Sequence, residues 1–425
     1  MAEVRRFPNI ILVMATYQEV LNAINDLRQL GDNAPAADYM AAVQKLRAMR
    51  DDWVLLGRDV REYSYLIKSI VSIYREFKHY QEGLDFLDAE YEQYKQTCQY
   101  EYVSKSQIYE IWADLLLLAN HGKEEILLKL KLSVYYIFID NTTYSNFELF
   151  SFRCFPGEKD KVPYSLNDIR NNTLSFASPT QFNDPMDTIL IRWNDYRMRH
   201  AQTDTEKEFC RLYAEAIKPL KVRCFARNNE LPESVGPFAA PTVPIIKSQR
   251  IEDINSLMWA HYTDSHKGFC VKYSFPSDFV MNNDHNQLTF TRIGNAKYAP
   301  TMDFINSPNL TVKDALFKKH DVWAYEKEVR IVHYDPSVTS DFKTMHLPEG
   351  CIKEIYLGIK CSSENEQKMR DAIGARNIPL YKMEVRDNDA YHLVPRLLAP
   401  SNTMTRSNTF SLCGFMRRFF DKCVN

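Results

Sequence analysis

The sequence predicts an α+β protein, with a helical first third followed by a mixed, strand-rich domain, and three observations point there. Only four glycines (Gly31, Gly57, Gly83, Gly122) fall between Met1 and Asp140, where apolar residues recur at helical spacing. After Asp140 the texture changes to short strand-like runs broken by Asn, Pro and Asp clusters. The helices expected in this second part do not alternate regularly with the strands, which disfavours a doubly wound parallel sheet. At 425 residues the chain exceeds the roughly 100–200 residues of an ordinary domain. The expected division is a helical-hairpin region at 1–140, a second domain at 141–400 and a tail at 401–425.

Within the first region, Leu66, Ile67, Ile70, Val71, Ile73, Tyr74 and Phe77, then Tyr80, Leu84, Phe86 and Tyr91, predict a helix pair between Tyr63 and Tyr94. A second pair is expected from Gln107 to Ile139, divided by a turn at Asn120-His121-Gly122. The register of Tyr74, Tyr80 and Gly83 loosely resembles a tetratricopeptide hairpin, whose repeats stack into a concave binding surface. The alternative is an irregular helical cap packed on the second half.

In the second region, strands are expected at Glu148–Phe155, Thr173–Ser178, Lys221–Ala226, Phe269–Phe275, Gln287–Thr291, Glu328–Tyr334 and Ile352–Leu357. Helices are expected at Ser165–Asn171, Asp204–Ile217, Ser256–Tyr262, Val312–Phe317 and Ser362–Ile373. Four prolines make Asn228–Pro244 read as a mobile loop over the sheet. The tail ends in Phe415-Met416-Arg417-Arg418-Phe419-Phe420, a short basic amphipathic element suited to docking on its own fold, a partner or a membrane.

Composition excludes several functions. The net charge of −2 carries no nucleic-acid-like basic bias, and a hydrophobic fraction of 45% describes a folded chain. No stretch approaches the roughly 18 apolar residues of a membrane span, and the N-terminus shows no signal-peptide cleavage site, which predicts a cytoplasmic chain. Nine cysteines without a CxxC pair indicate reduced thiols rather than a disulfide framework or zinc ribbon. Neither GxGxxG nor GxxxxGK[ST] occurs, so Rossmann and P-loop cradles are absent. Abundant Tyr (25) and Phe (24) suggest that a flat ligand would be gripped by rings.

Three strings carry candidate chemistry. In Trp323 to Val332, period-2 alternation places Glu326, Glu328 and Arg330 on one face of a strand, with Val329 and Ile331 on the other. Two carboxylates about 7 Å apart suit a polar cleft if a cation or ligand hydroxyls compensate them. An exposed edge strand laced with salt bridges is the alternative. In Leu174 to Asp187 a strand ends at Ser178-Pro179 and an Asn183-Asp184-Pro185 turn follows, a tight loop suited to hold a hydroxyl against a sugar or simply to turn the chain. In Leu257 to Gly268, Met258, Trp259 and Tyr262 form an aromatic ledge beside His261. His261 and His266 are five apart without nearby Cys, poor spacing for a metal. No nucleophile elbow, HExxH or kinase HRD string is present.

These strings, with Ile355-Tyr356-Leu357-Gly358, resemble a bacterial family labelled domain of unknown function 2971, over roughly Phe147 to Leu398. In chain order, Arg153, Ser178 or Ser175, and Glu326-Lys327-Glu328 further resemble the Arg, Ser and Glu-x-Glu layout of ADP-ribosyltransferases. That resemblance implies an ADP-ribosyltransferase-like domain with NAD as substrate. Arg153 would steady the dinucleotide, the Ser would position the nicotinamide-side ribose, Glu328 would be the anion facing the sugar cation, and Glu326 would orient or deprotonate the acceptor. Arg170 and Arg223 are substitutes for Arg153. Trp259, His261, Tyr262 and Trp323 are candidate walls for the nicotinamide. Ser175 and Ser178, three apart, lie on opposite faces of an ideal strand, so only one can face the cleft. The implied function is a toxin-like or antiphage NAD-consuming transferase acting on a protein or nucleic-acid acceptor, with a helical region that senses or recruits a protein partner. NAD hydrolysis and noncatalytic recognition of a nucleotide or peptide are the alternatives.

Overall fold

A computed structural model describes residues 22–399, apart from 23, 27, 30–34, 56–59, 98–101, 140–146, 157–163, 183, 188, 229–230, 232–248, 302 and 304–309. Most of the proline-rich loop and all of the C-terminal tail therefore lie outside the described residues. The first third is helical as expected: α1 (Ala36–Leu55), α2 (Val60–Glu76), α3 (Tyr80–Thr97), α4 (Tyr102–Leu118) and α5 (Lys123–Phe138). Both hairpin turns close in the same way. Lys78 and Asn120 take left-handed φ of 62° and 59°, so that the N–H of His79 reaches back to the carbonyl of Tyr74 and that of His121 to Leu116. Gly83 lets three helices approach closely, because a Cβ there would sit 3.0 Å from both Leu115 and Tyr74.

The helices do not stand apart from the sheet. Their core of Ile70, Val71, Leu115, Leu130 and Val134 runs without a break into Tyr213, Ala216, Leu316, Phe290 and Tyr334 of the second region. At the seam Phe138 stacks on Phe290 at 4.9 Å, and Phe290 on Tyr334 at 5.3 Å. The helical region is thus a cap fused to one half of the sheet, and a boundary near residue 140 separates elements rather than cores.

The second region comprises β1 (Phe147–Arg153), α6 (Tyr164–Asn171), β2 (Thr173–Ala177), α7 (Ile189–His200), α8 (Asp204–Ile217), β3 (Lys221–Ala226), α9 (Leu257–Tyr262), β4 (Phe269–Phe275), α10 (Ser277–Val280), β5 (Asn282–Asp284), β6 (Thr289–Asn295) and β7 (Lys297–Ala299). It continues with α11 (Val312–Phe317), β8 (Lys318–His320), β9 (Glu328–Tyr334), β10 (Phe342–His346), β11 (Ile352–Leu357), α12 (Ser363–Ile373), β12 (Leu380–Arg386) and β13 (Asp389–Leu397). Each of the seven expected strands is present, though β6 runs later than expected, to Asn295. Thr203 starts α8 with a capping box to Glu206. The main sheet has the order β13-β12-β11-β4-β1-β3-β9-β6-β5, with β2 attached to β3 and β10 to β2. On one side α6 and α12 close a second core through Leu166, Ile169, Met369 and Ile373.

One defect in this sheet creates the cleft. β1 pairs with β4 at seven positions and β3 with β9 at six, but β1 and β3 share only Phe150↔Ala226. β2 likewise touches β3 at Ala177↔Val222 alone. The sheet therefore forks between β1 and β3, and the backbone beyond the shared pair diverges toward Arg153 on one strand and Arg223 on the other.

Candidate functional site

The fork opens into a cleft of about 410 Å³, within the roughly 300–1,000 Å³ range of small-molecule sites. Arg153 on β1, Ser175 on β2, Arg223 and Cys224 on β3, Tyr262 at the end of α9, and Asp187, Lys319, Glu326 and Glu328 all line it. The rings on its walls are mainly phenylalanines, among them Phe150, Phe152, Phe176 and Phe225.

Five buried charges form one end of the cleft. The Lys319 ammonium lies 2.7 Å from Glu326 Oε2, 2.8 Å from Glu328 Oε2 and 3.3 Å from Asp187 Oδ2. Arg330 Nε donates to Glu328 Oε1 at 2.9 Å, and its Nη2 to Asp187 Oδ1 at 2.6 Å. Its Nη1 is held by the Leu316 carbonyl at 2.6 Å. The phenol of Tyr262 donates to Glu326 Oε1 at 2.5 Å, and the backbone N–H of Glu328 donates to the Tyr298 hydroxyl oxygen at 2.8 Å. Three carboxylates against two cations leave the cluster one negative charge in excess when all are ionised.

The two glutamates occupy different electrostatic environments. Burial opposes the ionisation of Glu328, but Arg330 and Lys319 override it and hold the carboxyl down at about 2. Burial pushes the Glu326 carboxyl above the ordinary range even with Lys319 and Tyr262 alongside. Glu328 is a fixed anion, whereas Glu326 holds a proton more tightly than an ordinary carboxyl.

The local backbone departs from the sequence expectation. Glu326 is not on the strand: Asp321–Glu326 is a 3₁₀ turn, and Lys327 at φ 44° reverses the chain before β9 begins at Glu328. The turn starts where the Val322 N–H donates to the His320 ring at 3.2 Å. The two carboxylates meet because a left-handed residue folds one back on the other, not because they alternate along an extended chain. Nor is β9 an edge: it runs between β3 and β6 with all seven residues buried.

The opposite end of the cleft is cationic. Burial, then repulsion from Arg223, lowers the Arg153 guanidinium to about 10, and the buried Nε atoms of both arginines have no hydrogen-bond partner among the described residues. Arg223 donates to the Ser175 carbonyl at 3.2 Å and the Ser151 hydroxyl at 3.3 Å, with Asp168 at 3.7 Å. The buried Asp168 carboxylate accepts from the Ser175 N–H at 3.1 Å and its hydroxyl at 2.7 Å. This fixes both the serine and the arginine.

Of the residues singled out in the sequence, Arg153, Ser175, Tyr262, Glu326 and Glu328 come together here. Ser178 does not line the cleft; it is buried at the start of a 3₁₀ turn, its N–H donating to the Asp341 carbonyl at 2.7 Å. Trp259 is 1% exposed and packs edge-on against Phe152, a core residue rather than a cleft wall. His261 and Trp323 also stay outside: His261 is exposed and bonds the Tyr325 hydroxyl at 2.7 Å, and Trp323 packs beside it at 6.0 Å. Arg170 is exposed on α6. The sequence reading missed Lys319 and Asp168, for which no motif gave a signal. It also gave no role to Asp187, which ends the Phe182 to Asp187 string.

Among the described residues no cluster of His, Cys, Asp or Glu is arranged to hold a metal ion, and no helix is long and apolar enough to cross a membrane. Residues 258–331 match the model of a family described as a protein of unknown function, DUF2971. The match contains Tyr262, Lys319, Glu326, Glu328 and Arg330, the anionic end of the cleft, and stops short of the strands that carry Arg153, Ser175 and Arg223. Comparison with curated proteins and with solved structures gives no match.

Proposed function

We propose that the cleft binds NAD and transfers its ADP-ribose to an acceptor. One observation carries this reading: Arg153, Ser175 and Glu328, from three separate strands, open on a single cleft where the sheet forks. Its two ends suit a ligand that is anionic at one end and cationic at the other. The arginines would face the diphosphate and the carboxylate cluster the nicotinamide riboside.

In the reaction the C1′–N bond breaks and nicotinamide leaves with the bonding electron pair, while positive charge builds on the ribose. Glu328, ionised at every ordinary pH, stabilises that charge without reorganisation. The acceptor's lone pair closes on C1′, and its proton passes to Glu326, whose raised affinity for protons suits a general base. Water in place of the acceptor makes the same cleft an NAD glycohydrolase. We place the protein in the cytoplasm as a toxin-like or antiphage effector, with the helical cap as the element that meets a partner protein.

A binding-only reading has its own support, since both Glu328 oxygens are already engaged by Lys319 and Arg330. Incubation with NAD labelled in the adenylate moiety separates the readings. Label on a macromolecule supports transfer, free ADP-ribose alone supports hydrolysis, and bound but intact NAD supports recognition only. Glu328→Gln keeps the shape and removes the charge, so it should abolish turnover while NAD still binds; unchanged turnover would sink the catalytic assignment.

A further inference from the structure

Glu326 does not face the cleft unaccompanied. It is 4% exposed, and each of its oxygens already holds a donor: the Tyr262 hydroxyl on Oε1 at 2.5 Å and the Lys319 ammonium on Oε2 at 2.7 Å. The two donors differ in what they can do next. An ammonium has three N–H groups and no lone pair, and those of Lys319 are matched by three carboxylates, Glu326, Glu328 and Asp187. Lys319 therefore cannot take up a proton. A phenol that donates its one proton keeps two lone pairs on the same oxygen. Among the described residues Glu326 is the only hydrogen-bond partner of the Tyr262 hydroxyl, and Tyr262 lines the cleft and is partly exposed.

The phenol is also held in place from behind. Tyr262 is the last residue of α9, which the buried Trp259 anchors edge-on against Phe152, and the Tyr262 ring packs on the same core. The Cys154 thiol donates to the Tyr262 carbonyl at 3.5 Å. Burial pushes the phenol above its usual range; Lys319 opposes that shift, and the hydrogen bond to Glu326 adds to it. Such a hydroxyl stays protonated at rest, so it can release a proton to Glu326 only while receiving another.

We infer that Tyr262 is a catalytic residue that meets the acceptor, a water or alcohol hydroxyl, and relays its proton to Glu326. This rests on the transferase reading and deepens its acceptor side. As the acceptor oxygen's lone pair closes on C1′, nicotinamide departs with the C1′–N electron pair. The acceptor's proton moves to the Tyr262 oxygen, and the phenol's own proton moves to Glu326 Oε1. The phenol is regenerated, and Glu326 gives its proton to water once the product has left.

The test is nicotinamide release from NAD by the full chain and its Tyr262→Phe variant, with and without sodium azide. Phenylalanine keeps the ring and removes the relay, so circular dichroism and calorimetric NAD binding should be unchanged. Release in water should fall about 10²–10⁴-fold, the usual contribution of positioned proton transfer. Azide attacks C1′ with no proton to lose, so it should raise release by the variant about tenfold or more, with ADP-ribosyl azide as the product. Glu326→Gln should be rescued in the same way, and Glu328→Gln should not, because its defect lies in stabilising the sugar cation. A phenol that only supported the fold would leave azide attack as slow as hydrolysis. Undiminished release by Tyr262→Phe, a loss that azide does not relieve, or loss of NAD binding overturns the relay and leaves the reaction standing. No release by the unaltered protein, in water or azide, overturns the reaction and the relay with it.

Discussion

Replacing Lys319 by Met tests whether one buried ammonium holds the anionic end of the cleft together. The side chain is 5% exposed and lies within 3.3 Å of three carboxylates, themselves buried. Methionine fills the same volume without the charge, leaving Arg330 to pair with Asp187 and Glu328, and Glu326 with no cation among the described residues. Removing one partner of a buried ion pair costs about 3–5 kcal/mol. With an unfolding entropy of about 2.1 cal/mol/K per residue over 425 residues, the expected loss is about 3–6 °C in Tm near pH 7.5. The loss has a definite pH dependence. Glu326 and Asp187 already hold protons more tightly folded than unfolded, because burial raises both carboxyls. A carboxyl raised in this way favours the folded state at low pH, and that contribution disappears as pH rises through its folded value. Without Lys319 both rise further, so the penalty is larger at pH 7.5 than at pH 5, where protons are taken up more readily, by at most about 1.4 kcal/mol per proton per pH unit. Differential scanning fluorimetry at the two pH values, with circular dichroism to confirm folding, reads this directly. A Tm loss equal at both pH values, or below about 1 °C at pH 7.5, would refute the reasoning.

Two further substitutions test the frame around the cleft. Gly268→Ala forces a methyl to within 2.1 Å of the Arg153 carbonyl, so Tm should fall by about 3 °C or more. Gly122→Ala, with nothing within 4 Å, serves as the matched control and should stay within about 1 °C. Ser175→Ala removes the hydroxyl that donates to Asp168 and should weaken NAD binding in calorimetry about tenfold, and Ser178→Ala should leave it unchanged; equal effects would mean that the serine facing the cleft has been misassigned.

The two N-terminal helix pairs, five later helices and seven of the strands were legible because their periodicity is strong and local, whereas α7 (Ile189–His200) was not expected. Periodicity was also right that Glu328 and Arg330 share a face, but wrong about how Glu326 joins them. Only a backbone reversal at Lys327, a residue type with no turn preference, brings it in. Six strands escaped notice: β5, β7 and β8 have three residues each, β10 reads Phe-Lys-Thr-Met-His, and β12 and β13, at seven and nine residues, are broken up by charged residues and a proline. Lys319 was invisible for the same reason. It sits in a Lys-Lys-His run that looks like a solvated face, and only pairing with β7 turns one of the two lysines inward. Asp168 gave no signal because Arg223 is distant in sequence and Ser175 lies on β2, across the turn that ends α6.

The fork itself explains why residues of the recognisable strings crowd near the cleft without all entering it. After α9 the chain turns through Asp264, Ser265 and His266, all at left-handed φ of 48–71°, a costly run for residues with a Cβ. Gly268 then packs on the Arg153 carbonyl, and Gly358 on the His266 carbonyl, each where a Cβ would approach to 2.1 Å. The Gly358 N–H closes on the Gly268 carbonyl at 2.9 Å. These contacts clamp the ends of β1, β4 and β11 together. β1 is thereby held against β4 and away from β3, which keeps Arg153 apart from the carboxylate wall. Much of the Trp259–Gly268 string is therefore scaffold: its aromatic and glycine residues hold the fork open, and Tyr262 alone of that stretch reaches the charged centre.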